Sequence, residues 1–199
     1  VVCALDNNED GLFHLKKKHS STDFIARLKI FLGDVRDLQR VKQAMEGVND
    51  VYHCAALKHV ELCEYNPFEA MKTNINGTSN IIQSAMSAQV DRVIVTSSDK
   101  AVNPSGTMGA SKLFAEKLTI SANNYSGSSG VKFGCVRFGN VWNTNGSVGR
   151  IFKDQITSGS DLTITDHKMT RFFISTAAAV DLCINSCNQM IGGEIFISD

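Results

Sequence analysis

Apolar residues along the chain alternate between short continuous runs and longer stretches with helical spacing. The short runs predict strands at 1–5, 28–32, 51–54, 92–96, 131–136 and 194–198. The stretches between them predict helices at 11–18, 38–45, 67–88, 108–124, 148–158 and 177–190. Strands that alternate with helices, and that are apolar throughout, are typical of a parallel sheet covered on both faces. The pattern therefore predicts an α/β fold with a Rossmann-like, doubly wound parallel sheet.

One expected motif is missing from this pattern. A GxGxxG turn normally follows the first strand of such a sheet, and the sequence contains none. Asp6 ends the first predicted strand, and an acidic residue in that position usually follows the turn by about twenty residues. We therefore expect Val1 to lie in the second strand, with the first strand and its glycine-rich loop missing and the chain truncated at both ends. Residues 1–199 would form a single dinucleotide-binding domain, with substrate-contacting segments near 137–175.

Composition excludes several classes of partner. The chain has 20 Lys and Arg against 20 Asp and Glu, so no basic surface for nucleic acid is indicated. No apolar run approaches the roughly twenty residues of a membrane-spanning helix, so no membrane segment is expected in this sequence. The six cysteines form no CxxC pair, which favours reduced thiols and a cytoplasmic location. His53 and His59 lack further ligands at metal-like spacing, and we predict no metal site.

The densest group of chemically active residues follows the strand predicted at 92–96. Residues 95–104 read VTSSDKAVNP, and residues 108–112 read MGASK at the start of the next helix. Ligands of open α/β sheets bind at the carboxyl ends of the strands, so Ser97, Ser98, Asp99 and Lys100 stand where a reacting group would lie. Lys112, one turn into the helix, can reach the same place.

These two strings resemble the signature of the UDP-N-acetylglucosamine 4,6-dehydratases, extended short-chain dehydrogenases of polysaccharide and glycan biosynthesis. The resemblance covers nearly the whole chain. It continues through GDVRD at 33–37, CAALKHV at 54–60, NINGT at 74–78, RFGNV at 137–141 and MTRFF at 169–173. Each string alone is weak, but their shared order along the chain is strong.

The resemblance implies a set of cofactor and substrate contacts. NAD or NADP would be bound by Asp6, Asp34, Val35, Ala55, Ala56, Lys58, Asn74, Ser97, Met108 and Lys112, and the UDP-N-acetyl amino sugar by Asn140 and Arg171. Other interpretations stay open for several of them. Asp34 could cap the helix that begins near Asp37, Asn74 could be an unremarkable polar residue in a helix, and Arg171 could be an ordinary surface cation.

The resemblance also implies a reaction. Hydride transfer from sugar C4 acidifies the proton at C5, water is eliminated across C5 and C6, and the hydride returns to C6. Asp99 would be the acid, Lys100 the base, Ser98 the donor to the C4 oxygen, and Lys112 the residue that holds the nicotinamide ribose. Lys100 could instead be a surface lysine paired with its neighbour.

Met108 departs from the pattern of most short-chain dehydrogenases, which have a tyrosine there in a Tyr-x-x-x-Lys pair. Methionine cannot accept a proton, but a subset of these dehydratases has the same Met-x-x-x-Lys form. Another group, such as Asp99, Lys100 or a water, would then take the proton of the C4 hydroxyl.

Asp6 favours NAD over NADP, because a carboxylate binds the ribose hydroxyls and repels a 2′-phosphate. Two other functions remain open: a UDP-sugar epimerase of the same fold, and a cofactor-sensing protein that has lost catalysis. We expect a homo-oligomer, located in the cytoplasm or at the cytoplasmic face of a membrane if a membrane segment precedes this sequence.

Overall fold

The computed structural model describes residues 1–142, 144 and 147–198. Asn143, Asn145 and Gly146, which belong to the predicted substrate-contacting segment 137–175, lie outside the described residues, as does Asp199.

Strands and helices alternate as predicted. The strands are β1 (Val2–Asp6), β2 (Leu28–Leu32), β3 (Asp50–His53), β4 (Arg92–Ser98), β5 (Lys132–Phe138), β6 (Asn140–Val141), β7 (Phe173–Ile174) and β8 (Ile195–Ile197). The helices are α1 (Glu9–His19), α2 (Leu38–Met45), α3 (Val60–Tyr65), α4 (Pro67–Ala70), α5 (Gly77–Ala88), α6 (Thr107–Ala122), α7 (Val148–Ser158) and α8 (Thr176–Gln189). Every strand and helix expected from the apolar pattern is present.

The strands pair in parallel throughout the described chain. β3, β4, β5 and β8 form a four-stranded sheet in that order, while β1 and β2 form a separate pair. Helices α5 and α6 pack on the central strands, and their apolar side chains bury Val93, Val95 and Phe133 completely or almost so. The predicted α/β, Rossmann-like class is confirmed.

Helix starts follow from local capping. Asn8 accepts a hydrogen bond from the Gly11 N–H at the start of α1, and Ser175 accepts one from the Ala178 N–H at the start of α8. At the start of α2 the cap is Asp37, whose carboxylate accepts from the N–H groups of Gln39 and Arg40. The alternative that Asp34 caps this helix is therefore wrong.

The predicted helix over 67–88 is not a uniform α-helix. Residues Met71–Asn76 form a π-helical segment between α4 and α5, where the backbone is wound more widely than in an α-helix. Thr78 donates from Oγ1 to the carbonyl of Asn74 at 2.7 Å, within this wider turn. The side chain of Asn74 in this segment is 2% exposed and donates a hydrogen bond to Oγ of Ser111.

Candidate active site

The carboxyl ends of the parallel strands lie along one edge, and two cavities open there. The larger, about 1180 Å³, lies at the ends of β3, β4 and β5 and beside α6, α7 and α8. The smaller, about 510 Å³, lies at the ends of β1, β2 and β3. Cys54, Ala56 and Leu57 line both, so the two cavities are neighbours that share one wall.

Asp99 and Lys100 form an ion pair at the end of β4. Strand β4 ends at Ser98, and a 3-10 turn over Asp99–Ala101 follows it directly. Nζ of Lys100 lies 3.0 Å from Oδ1 of Asp99, and the Ser98 hydroxyl donates to the same oxygen at 2.7 Å. Burial raises the pKa of Asp99, but the bonds from Ser98 and Lys100 outweigh it and bring the pKa below its ordinary value. Asp99 is therefore a carboxylate in this arrangement.

Asn140 provides the second contact of Lys100. Its Oδ1 accepts a hydrogen bond from Nζ of Lys100 at 3.1 Å. The backbone of Asn140 is held by the short β6–β7 pairing, in which its N–H donates to the carbonyl of Phe172 at 2.9 Å. A Cβ at Gly139 would lie 2.5 Å from that same carbonyl, so a side chain there would push the two segments apart. The neighbouring Gly139 thus allows the approach that places Asn140.

Lys112 extends from α6 towards the end of β4. Its Nζ donates to the carbonyl of Thr96 at 2.5 Å, and the side chain lines the larger cavity. Burial lowers the pKa of Lys112, against the opposing influence of Cys54, Cys135 and Glu116. Burial and the same lysine lower the pKa of His53 to about 3, so this histidine is neutral. His53 bonds to the hydroxyl of Thr78 through Nε2, as expected of a packing residue rather than a catalytic base.

Met108 is 5% exposed and packs against Cys63 and Ala70 while it lines the larger cavity. The side chain of Asn74 accepts from the N–H of Leu57 at 2.8 Å, donates to the carbonyl of Leu57 at 3.0 Å, and donates to Oγ of Ser111 at 2.9 Å. Asn74 lines neither cavity and instead ties the 54–59 loop to α6.

The smaller cavity is lined by acidic residues at two strand ends. Asp6 is the last residue of β1, and one of its carboxylate oxygens accepts from the N–H of Asn8 at 2.9 Å. Asp34 follows β2 and accepts from the guanidinium and backbone N–H of Arg36, which lowers the pKa of Asp34. Arg36 also bonds to Glu69 at 2.9 Å. Val35, in the same loop, lines this cavity and is buried against the core.

The remaining predicted site residues divide between the two cavities. Ala55 lines the smaller cavity, and Ala56 lines both. Ser97 is 4% exposed, and its Oγ has no hydrogen-bond partner among the described residues. Arg171 is exposed and donates from Nη1 to the carbonyl of Thr170 at 2.7 Å. The larger cavity is lined by Lys58, Ser97, Ser98, Lys100, Met108, Lys112, Asn140 and Arg171.

A buried ion pair behind the site was not expected from the motifs. Glu116, one helical turn after Lys112, is 2% exposed and accepts two hydrogen bonds from Arg137 of β5, at 2.7 and 2.5 Å. The pair joins α6 to β5. A sequence signal existed: each is a charged residue within an otherwise apolar helix face or strand, and the two charges are opposite.

The part of the chain that the structure describes holds no group of three His, Cys, Asp or Glu side chains able to bind a metal ion. Within the same residues, none of the helices is both long and apolar enough to cross a membrane.

These features define a Rossmann-type α/β domain with a polar Ser-Asp-Lys site at the strand ends. The whole chain, residues 1–199, matches the family described as polysaccharide biosynthesis protein, and the chain belongs to that family.

Comparison with known proteins agrees with the resemblance seen in the motifs. The chain is 46% identical over 171 residues to the UDP-N-acetylglucosamine 4,6-dehydratase (inverting) of Campylobacter jejuni, covering 85% of this chain and 51% of that protein. It is 46% identical over 172 residues to the UDP-glucose 4-epimerase of Rickettsia rickettsii, covering 86% of this chain and 50% of that protein. Relatives with dehydratase and epimerase names are thus equally similar.

Two further relatives cover almost all of this chain. An uncharacterized membrane protein of Methanocaldococcus jannaschii is 52% identical, covering 99% of this chain and 58% of that protein. The solved structure of Pen from Bacillus thuringiensis is 42% identical with a TM-score of 0.95, covering 99% of this chain and 62% of that one. The chain spans about half to three fifths of the length of these relatives.

Proposed function

We propose that this protein is an NAD(P)-dependent nucleotide-sugar 4,6-dehydratase that converts UDP-N-acetylglucosamine to a 4-keto-6-deoxy sugar. The observation that carries the proposal is the contact between Asp99 and Lys100, whose atoms Oδ1 and Nζ lie 3.0 Å apart, with Lys100 on the wall of the larger cavity. Elimination of water across C5 and C6 requires a base and an acid side by side, since the two reacting carbons are neighbours. An epimerisation at C4 requires no such pair.

The contact also explains how the pair would be reset. In the elimination, Nζ of neutral Lys100 takes the C5 proton, and protonated Asp99 gives its proton to the leaving C6 hydroxyl, which departs as water. The pair is then an ammonium and a carboxylate, the state favoured by the lowered pKa of Asp99. Proton transfer from Lys100 back to Asp99 across 3.0 Å restores the reactive state without a proton from solvent. A bound substrate that excludes water would favour this neutral pair, because burial disfavours charges.

The residues at the strand ends fit a dinucleotide across the two cavities. Asp6 and Asp34 offer carboxylates in the smaller cavity, where an adenosine ribose and base would bind. In the larger cavity, Ser97 offers a buried hydroxyl without a partner among the described residues, and Lys112 offers its Nζ. When bound, the dinucleotide would accept a hydride from sugar C4 and return it to C6. A carboxylate at position 6 favours NAD over NADP.

The larger cavity would hold the sugar and its diphosphate. Ser98 would turn its hydroxyl from Asp99 to the C4 oxygen, while Lys112 would hold the nicotinamide ribose. Arg171 lies exposed on the cavity wall, where a guanidinium can bind a diphosphate through two parallel hydrogen bonds. Met108 has no proton to exchange, so its part is to line the cavity while it packs against the buried Cys63 and Ala70.

An epimerase is the second candidate, because the chain is as similar to the Rickettsia rickettsii UDP-glucose 4-epimerase as to the dehydratase. The two functions differ in the mass of the product. The full-length protein should be incubated with UDP-N-acetylglucosamine and catalytic NAD, and the products examined by mass spectrometry. Loss of one water without net NADH is expected. An unchanged mass with a new isomer would replace the proposal by epimerisation.

The assignment of the base is tested by Lys100→Ala, with Lys117→Ala as the control. Lys117 is an exposed lysine on α6 that lines neither cavity. We expect Lys100→Ala to lose at least about a hundredfold in the rate of water loss, within the usual contribution of a general base. Its dinucleotide affinity and the activity of Lys117→Ala should be unchanged. Full activity of Lys100→Ala would refute the role of Lys100 as base.

A further inference from the structure

The start of α6 is capped by a residue from another helix. Gly106 occupies the cap position and has no side chain with which to bind the free N–H groups of the first turn. Glu64 of α3 takes this place. Its Oε1 accepts from the N–H of Thr107 at 2.5 Å, and its Oε2 accepts from the hydroxyl of Thr107 at 2.9 Å. A carboxylate is well suited to this position, because the start of a helix carries partial positive charge.

Gly106 is explained by this contact rather than by backbone strain. Its φ of −153° and ψ of 173° are extended values that any residue adopts. A Cβ at Gly106, however, would lie 2.4 Å from Oε1 of Glu64. A side chain at position 106 would therefore displace the Glu64 carboxylate from its present place.

The first turn of α6 is packed directly on the turn that carries Asp99 and Lys100. A Cβ at Gly109 would lie 2.3 Å from the carbonyl oxygen of Lys100, so the two backbones are in contact. Lys112 leaves the same helix one turn later and bonds to the end of β4. A shift of the start of α6 would therefore change the position of Lys112 relative to Lys100.

Helix α3 holds this turn in a second way. Cys63, beside Glu64, is 1% exposed and packs against Met108, the second residue of α6. Helix α3 therefore contacts the start of α6 through a polar group, the Glu64 carboxylate on Thr107, and through an apolar one, the Cys63 side chain on Met108.

We propose that Glu64 is a positioning residue of the reaction, acting through the first turn of α6 to place Lys112 against Asp99 and Lys100. The inference rests on the proposed function for the identity of the reaction. The hydrogen bonds of Glu64, and not its charge alone, carry the role. Glutamine can keep both bonds, accepting from the N–H of Thr107 through its oxygen and donating to the hydroxyl through its nitrogen.

The test compares Glu64→Ala, Glu64→Gln and the control Glu61→Ala in the full-length protein. Glu61 is an exposed glutamate on the same helix and lines neither cavity. Rates of water loss from UDP-N-acetylglucosamine are measured at two temperatures well below unfolding. We expect kcat of Glu64→Ala to fall about tenfold with KM within twofold, because small misplacements of reacting groups have large effects on rate. Glu64→Gln should keep at least half of the wild-type kcat, and Glu61→Ala should match it.

Three results would overturn the inference: a folded Glu64→Ala with more than half of the wild-type kcat, an equal loss in Glu64→Gln, or a loss that disappears at the lower temperature. If Glu64→Ala does not fold, Thr107→Val is measured instead, because it removes only the hydrogen bond of the hydroxyl. A roughly threefold fall in kcat of Thr107→Val supports the inference, and an unchanged kcat opposes it.

If the wild-type protein forms an isomer instead of losing water, the proposed function fails. The same variants are then compared on that turnover, because Lys112 must be placed in either reaction.

Discussion

The buried ion pair between Glu116 and Arg137 allows a quantitative test of how α6 is fixed to the sheet. Replacing Arg137 by Met keeps much of the side-chain volume but removes both donors of the pair. The carboxylate of Glu116, 2% exposed, would then be left without a counter-charge in the interior. Breaking a buried pair in this way costs about 3–5 kcal/mol of the free energy of unfolding.

The double variant separates the charge from the packing. When Glu116 is also replaced, by Leu, no charge is left buried, and apolar replacement of a whole buried pair is often neutral or stabilising. We therefore expect Glu116→Leu/Arg137→Met to regain at least half of the stability that Arg137→Met loses. The two changes must be analysed together, since residues in direct contact are not additive.

Urea denaturation followed by far-UV circular dichroism measures both variants against the wild type. A cost below about 1 kcal/mol for Arg137→Met would show that solvent reaches Glu116, contrary to its burial. A double variant no more stable than the single one would show that packing of the Arg137 side chain, not the unpaired carboxylate, is the cause.

Two further changes test the polar contacts at the strand ends. Asn140→Ala removes the oxygen that accepts a hydrogen bond from Nζ of Lys100 at 3.1 Å. We therefore expect about a tenfold lower rate of water loss, with unchanged dinucleotide affinity. An unchanged rate of water loss would contradict the role of Asn140 in placing Lys100. The lowered pKa values of Asp34, which Arg36 stabilises as the carboxylate, and of Asp99 imply pH-dependent stability. A carboxyl group with a lowered pKa in the folded protein stabilises it above the ordinary pKa of 3.8, and that contribution is lost as the pH falls below it. Unfolding free energies measured from pH 6 to 3 should therefore decline at the acid end, and less steeply in Asp34→Asn; equal slopes would refute the contribution of Asp34.

Much of the architecture could be predicted from sequence because the apolar period reports directly on burial. The strands are continuous apolar runs, and the segments between them have apolar residues at helical spacing. This alternation of strands and helices predicts parallel strands. The place of Ser98, Asp99 and Lys100 at the cavity was also predictable, since ligands of open parallel sheets bind at the carboxyl ends of the strands. Their mutual hydrogen bonds were not, because side-chain geometry has no period.

Other features have no local signal. The π-helical segment Met71–Asn76 has the same apolar spacing as the helix around it, and β6 and β7 have only two residues each. The bond between Glu64 and Thr107 joins residues 43 positions apart. Such long-range polar contacts depend on the tertiary fold, and a single sequence does not reveal them.

The smaller cavity lies between the pair β1–β2 and the end of β3. Its walls therefore belong to two sheets that, among the described residues, contact each other through side chains, chiefly of α2 and Val35 against α5. A dinucleotide in this cavity would contact both sheets at once. Its binding to the full-length protein should therefore slow hydrogen exchange at the amides of β1 and β2. Unchanged exchange of these amides on binding would place the dinucleotide elsewhere.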